Sequence, residues 1–140
     1  MPELIGYLVR AAGNNANLLL NIGPRPDGTI QPEAVERLRV IGDWLRTYGT
    51  SIYGTRGGPI APRDWGVTTQ RGDSIFVHVL HWPDRMLALP PLPGTIRHAT
   101  MLATQSAVAF RQSAVGVSLT LPPAADTVDR VVVLTMAKAR

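Results

Sequence analysis

Residues 17–30 read NLLLNIGPRPDGTI. The first six residues form a short apolar run between turn residues, and the run does not alternate between apolar and polar side chains. A strand that is apolar on both faces is typical of a parallel sheet that helices cover on both sides. The next six residues, Gly23 to Gly28, are rich in Gly and Pro and predict a loop. The stretch therefore predicts a buried parallel strand at 17–22, followed by a loop.

A helix is predicted on each side of this strand. The first starts at Pro2 and stops at Gly13, and its apolar residues recur at helical spacing. The second starts at Pro32, with Glu33 behind it for the helix dipole, and ends at Gly49. One apolar stripe runs along this second helix: Val35, Leu38, Ile41, Trp44, Leu45 and Tyr48.

The character of the sequence changes near residue 59 from α/β to all-β. A lone parallel strand needs neighbours on both edges, and the first 60 residues contain no other strand, so we expect the rest of a larger sheet to lie upstream. Short runs with strand character then follow one another between Gly, Pro and Asp residues, which predicts an antiparallel sandwich. These runs are 65–70, 74–82, 85–89, 95–102, 107–111, 115–121 and 129–137, and Arg71-Gly72-Asp73 is a predicted hairpin turn. The predicted fold class is an α/β fragment at 1–58 followed by an all-β sandwich at 59–140.

Composition excludes several classes of protein. The 140 residues are 45% hydrophobic and 17% charged, which is the balance of a folded globular chain. The net charge is +4, but the arginines are spread along the chain, so we expect no nucleic-acid partner. No apolar run approaches the roughly 20 residues of a membrane span, so we expect no membrane partner. The absence of cysteine excludes disulfides and thiolate metal sites, and the sequence leaves the localisation open.

The order of three motifs resembles glycoside hydrolase family 29, the α-L-fucosidases. These motifs are the stretch at 17–30, then Ile41-Gly42-Asp43-Trp44-Leu45, then Ser51-Ile52-Tyr53-Gly54-Thr55. The resemblance covers nearly the whole chain, and the chain covers only the C-terminal part of the family's architecture. It implies that 17–22 is the last strand of a (β/α)₈-like barrel and that 32–48 is the closing helix. It also implies hydrolysis of terminal α-L-fucose with retention, by an Asp nucleophile and a Glu acid/base.

None of the ten carboxylates matches the family's nucleophile or acid/base motif, so we expect no catalytic residue in this chain. They are Glu3, Asp27, Glu33, Glu36, Asp43, Asp64, Asp73, Asp84, Asp126 and Asp129. Most lie on predicted helices or at turns, where Asp bonds the local backbone. Asn21 and Asp27 are the candidate substrate-binding residues, because they lie at the C-terminal end of the barrel-type strand and in the loop after it. A turn role for Asp27 and a strand–loop junction role for Asn21 are the alternatives.

Aromatic and histidine side chains supply the other candidates. Trp65 or Trp82 could contact sugar from an exposed position, with a core position as the alternative. His78 and His81 are three apart on a predicted strand, face opposite sides and are not expected to share a metal. No Ser-His-Asp arrangement is legible, and no cofactor is expected.

The leading hypothesis is a C-terminal portion of a retaining α-L-fucosidase that completes the barrel, braces it with the sandwich and is inactive alone. Its expected partners are a fucosylated glycan, bound through the complete enzyme, and the missing N-terminal barrel portion or a second copy of the chain. Two alternatives remain open: a stand-alone carbohydrate-binding or interaction module, and one half of a split α-L-fucosidase.

Overall fold

A computed structural model of the chain describes residues 2–123 and 127–138. The fold begins with two helices, α1 (Pro2–Gly13) and α2 (Pro32–Tyr48), and α2 leads directly into a 3₁₀ turn at Gly49–Ser51. Both helices have the predicted bounds. Pro32 occupies the first turn of α2, where its missing N–H costs nothing because that group has no partner within the helix.

Eight strands follow in the described part of the chain, and all of their pairings are antiparallel. They are β1 (Arg56–Gly57), β2 (Gly66–Arg71), β3 (Ser74–Val79), β4 (Met86–Leu89), β5 (Ile96–Met101), β6 (Ala109–Ser113), β7 (Gly116–Thr120) and β8 (Arg130–Met136). Strands β2 to β8 each overlap one of the predicted runs. The predicted hairpin turn joins β2 to β3, and Gly72 adopts a positive φ of 56° there. Strand β1 was not predicted, because two residues carry no periodic pattern.

The strands form two sheets that face each other. The larger sheet has the order β1-β2-β3-β8-β5, and the smaller has the order β4-β7-β6. One hydrophobic core lies between them, with Val77 and Leu134 from the larger sheet and Leu87 and Leu119 from the smaller, all almost fully buried. The prediction of an antiparallel β-rich domain preceded by two helices is confirmed.

Helix α1 packs on the opposite face of the larger sheet and creates a second, smaller core. Ile5 and Val9 of α1 are buried against Val67 of β2. The end of the helix approaches so closely that a Cβ atom on Gly13 would lie 2.5 Å from Val67 Cβ. Since β3 is covered by the smaller sheet on one side and by this second core on the other, five of its six residues are buried.

The strand predicted at 17–22 is not present in the structure of the isolated chain. Residues 16–25 adopt neither helix nor strand, and Leu18, Leu19 and Leu20 are exposed. The physical reason is that a parallel strand needs hydrogen-bonding neighbours on both edges, and no described strand lies beside this segment. Asp126, predicted at a turn, lies outside the described residues.

Candidate functional site

The first candidate site is the exposed segment between the helices, which carries both predicted substrate-binding residues. Asp27 Oδ1 accepts hydrogen bonds from the backbone N–H and the hydroxyl of Thr29, at 3.0 and 2.7 Å. These bonds, the backbone bond first, hold the pKa of Asp27 below its ordinary value. Gly28 closes the same turn with a φ of 84°. Asp27 therefore has the local turn geometry that was its alternative reading, and one of its oxygens remains open to solvent.

Asn21 is exposed within the same segment. In the ranges 2–123 and 127–138 its side chain makes no hydrogen bond. Neither Asn21 nor Asp27 lines either of the two clefts described below. The structure thus places both residues on one solvent-facing segment and does not bring them together into a pocket.

Large apolar side chains of this segment and of the first half of α2 are exposed, and this set is called the apolar surface below. It consists of Leu18, Leu19, Leu20, Ile30, Val35 and Leu38. Leu19 is 88% exposed. Helix α2 contributes Val35 and Leu38 to this surface, because none of its residues is fully buried. The end of α2 near Trp44 packs on the second core, and the end near Val35 does not. A group of large apolar side chains around one segment marks an interaction surface, whereas single exposed apolar residues are ordinary.

Beneath α2 lies a buried polar network that the sequence did not reveal. Thr69 donates its only hydroxyl proton to the backbone carbonyl of Ser51, at 2.6 Å. His78 Nε2, 3.2 Å from the same hydroxyl oxygen, must therefore be the donor of that second bond. His78 Nδ1 lies 2.6 Å from Asp129 Oδ2. The network links the turn after α2 to the middle of the larger sheet.

This network is structural. A hydroxyl, an imidazole and a carboxylate in series resemble a nucleophilic triad, but Thr69, His78 and Asp129 are all 0 to 1% exposed, so no substrate can reach the hydroxyl. The pKa of Tyr48 lies above its ordinary value. The larger cause is the burial of its hydroxyl, and the second cause is the negative charge of the Asp129 carboxylate. No Ser-His-Asp arrangement is legible in the sequence, and this buried network, whose hydroxyl belongs to a threonine, was not anticipated from it.

The tryptophans are not exposed sugar platforms. Trp65 belongs to the main core and is 7% exposed, which contradicts the exposed reading. Trp82 is partly buried against that core, and its indole N–H donates to the Met86 carbonyl at 3.0 Å. Trp44 stacks on Tyr48, with ring centroids 5.1 Å apart.

Two clefts border α1. The larger, about 570 Å³, lies between the first three turns of α1 and the chain that leaves β3, and it is lined by Glu3, Tyr7, Arg10 and His81 among others. The smaller, about 210 Å³, lies between the end of α1 and residues 52–56. Over the described part of the chain, no three His, Asp or Glu side chains come together as a metal site would require. No described helix is long and apolar enough to cross a membrane.

Comparison with known proteins gives one consistent result. The family model for α-L-fucosidase matches residues 1–50. An α-L-fucosidase from Branchiostoma floridae is 40% identical over 60% of this chain and 19% of its own length. The tissue α-L-fucosidase of Bos taurus is 32% identical over 87% of this chain and 28% of its own length.

The solved structures agree. The chain superposes, with a TM-score of 0.88 and 25% identity, on a family 29 α-L-fucosidase from Bacteroides thetaiotaomicron that was trapped as a covalent intermediate. That match covers 99% of this chain and 33% of the Bacteroides chain, so the present chain spans about a third or less of the relatives it matches. This chain belongs to the α-L-fucosidase family, glycoside hydrolase family 29, and corresponds to the C-terminal portion of its members.

Proposed function

We propose that this chain supplies the last strand–helix unit and the bracing sandwich of a retaining α-L-fucosidase, and that it hydrolyses no fucoside alone. The observation that carries the proposal is the apolar surface around residues 18–38, because it lies inside the part that the family model matches. A (β/α)₈ barrel takes about 250 residues and covers such a strand on both edges. In the complete barrel, Leu18–Leu20 would gain those neighbours.

The retaining mechanism is part of the proposal. A covalent glycosyl–enzyme intermediate is the signature of retention, and the Bacteroides relative was captured as a covalent intermediate. Retaining enzymes hold two carboxyl groups about 5 Å apart at the substrate. Here Asp129 is buried beside His78 on the face of the larger sheet that points away from the smaller sheet, and Asp27 is held by its own turn, so neither can act as a nucleophile.

The direct experiment is a chimera. The C-terminal third of the Bacteroides enzyme is replaced by this chain, and hydrolysis of 4-nitrophenyl α-L-fucopyranoside is compared for the chimera, the truncated Bacteroides barrel and this chain alone. We expect turnover only in the chimera, with α-L-fucose as the first anomer seen by NMR. A folded but inactive chimera would contradict the proposal and favour a stand-alone module, and turnover by this chain alone would contradict the expected inactivity.

Matched variants of the chimera test the interface. Leu19→Glu places a charge on the apolar surface, and Val115→Glu places one on the hairpin between β6 and β7, where the side chain is equally exposed. If the apolar surface docks on the barrel, Leu19→Glu lowers the activity of the chimera and Val115→Glu leaves it unchanged. Equal activity of the two variants would show that the surface does not form this contact.

A further inference from the structure

We propose that the larger cleft beside α1 binds the neutral saccharide to which the fucose is attached, an inference that rests on the proposed function. The cleft holds about 570 Å³, inside the range of roughly 300–1,000 Å³ that is usual for small-molecule sites. Its walls come from different parts of the fold: α1 on one side, and Leu80, His81 and Val128 on the other.

One face of α1 is turned to this cleft. Glu3, Gly6, Tyr7 and Arg10 line it and recur at helical spacing, while Ile5 and Val9 on another face fill the second core. Tyr7 is 62% exposed, so its ring is available as a flat apolar surface for a pyranose. Gly6 has no neighbouring atom within 4 Å of its missing side chain, which leaves the middle of this face open.

The polar groups of the cleft suit a neutral ligand rather than a charged one. Glu3 and Arg10 bring opposite charges, and with His81 they supply both donors and acceptors for hydroxyl groups. Among the residues that the structure describes, these three side chains form no ion pair and no hydrogen bond with the protein. Apolar walls with a few such polar groups are typical of ligand sites.

The position of the cleft follows from the direction of α1. In a (β/α)₈ barrel, a helix begins on the face where the preceding strand ends, and substrates bind at that face. The start of α1 and the Asp27 loop therefore belong to the same face in the proposed barrel. In that arrangement a saccharide chain leaving the fucose site extends over the face that carries Pro2 and Glu3, which line this cleft.

The test is a binding measurement on the 140-residue chain itself. The ¹⁵N-labelled protein is titrated with N-acetyllactosamine, and saturable shifts are expected at the amides of Gly6, Tyr7 and His81. Tyr7→Ala should weaken binding roughly 2- to 12-fold, since an aromatic contact contributes about 0.5–1.5 kcal/mol. Tyr53→Ala is the matched control, because Tyr53 is equally exposed but does not line the cleft.

The absence of saturable shifts, equal loss in the two variants, or tighter binding of the sialylated trisaccharide would each overturn the inference. Binding needs neither the barrel nor activity. An inactive chimera with intact binding would therefore refute only the proposed function, and an active chimera without binding would refute only this inference.

Discussion

Removing the carboxylate of Asp129 should be among the most damaging single changes in this chain. His78 Nδ1 and Asp129 Oδ2 are 2.6 Å apart, and both side chains are 0% exposed. Truncating one partner of a buried pair leaves the other without compensation, so Asp129→Ala should lower the free energy of unfolding by about 3–5 kcal/mol. Domains of this kind are stable by about 5–15 kcal/mol, so the variant should fold but unfold at much lower urea.

The assay is urea unfolding followed by circular dichroism, with two comparison variants. Glu36→Ala breaks the exposed ion pair with Arg39, where both side chains are more than half exposed, and should cost less than about 1 kcal/mol. The double variant His78→Leu with Asp129→Val removes both partners of the buried pair at once and should recover most of the loss. A cost below about 1 kcal/mol for Asp129→Ala, or a double variant as unstable as the single one, would refute the reasoning.

Three further predictions concern packing, association and pH. Gly13→Ala should lower the free energy of unfolding in urea by about 1–3 kcal/mol, because its new methyl group meets β2. Gly6→Ala in the same helix meets no neighbouring atom and should be neutral or stabilising by up to about 1 kcal/mol, and equal effects of the two variants would contradict the close approach of Gly13 to β2. Leu19→Glu should reduce self-association of the isolated chain in analytical ultracentrifugation, whereas Val115→Glu should not; unchanged association in both would show that the apolar surface is not responsible. The pKa of Tyr48 in the folded chain lies above its unfolded value, so the contribution of Tyr48 to stability is complete below pH 10 and is lost as the pH rises through the folded pKa. Tyr48→Phe should therefore reduce the fall in the free energy of unfolding at alkaline pH. An unchanged dependence of the free energy of unfolding on alkaline pH would contradict the raised pKa.

The elements that the sequence predicted correctly are those with local signals. Pro32 marks the start of α2 by backbone chemistry that needs no tertiary partner, and Gly49 marks the point where α2 passes into the 3₁₀ turn, although it keeps a helical φ of −57°. The β2–β3 hairpin likewise follows from Gly72, which tolerates the positive φ of the turn. The strand predicted at 17–22 is not formed in this chain, because a parallel strand depends on neighbouring strands that no local sequence pattern supplies.

The sequence did not predict the buried polar network, for a different reason. His78 and Asp129 are 51 residues apart, and the pairing of β3 with β8 that joins them is not written in either segment alone. A partial signal was available: alternation places His78 on the opposite face of β3 from Val77 and Val79, so a histidine in a strand covered on both sides requires a buried partner. The loop position of Asp27 was predicted, since Pro-Asp-Gly is a turn signature by itself.

The strand order has a consequence for synthesis on the ribosome. Strand β8 is the last of the eight to be made, yet it lies between β3 and β5 in the larger sheet. Until β8 has left the exit tunnel, β3 has one unpaired edge and β5 has no partner within that sheet. The nascent chain can close the β2–β3 and β6–β7 hairpins early, but its main core forms only after β8 has left the exit tunnel. Slow translation late in the message would therefore prolong the stage at which neighbouring nascent chains can pair through these open edges.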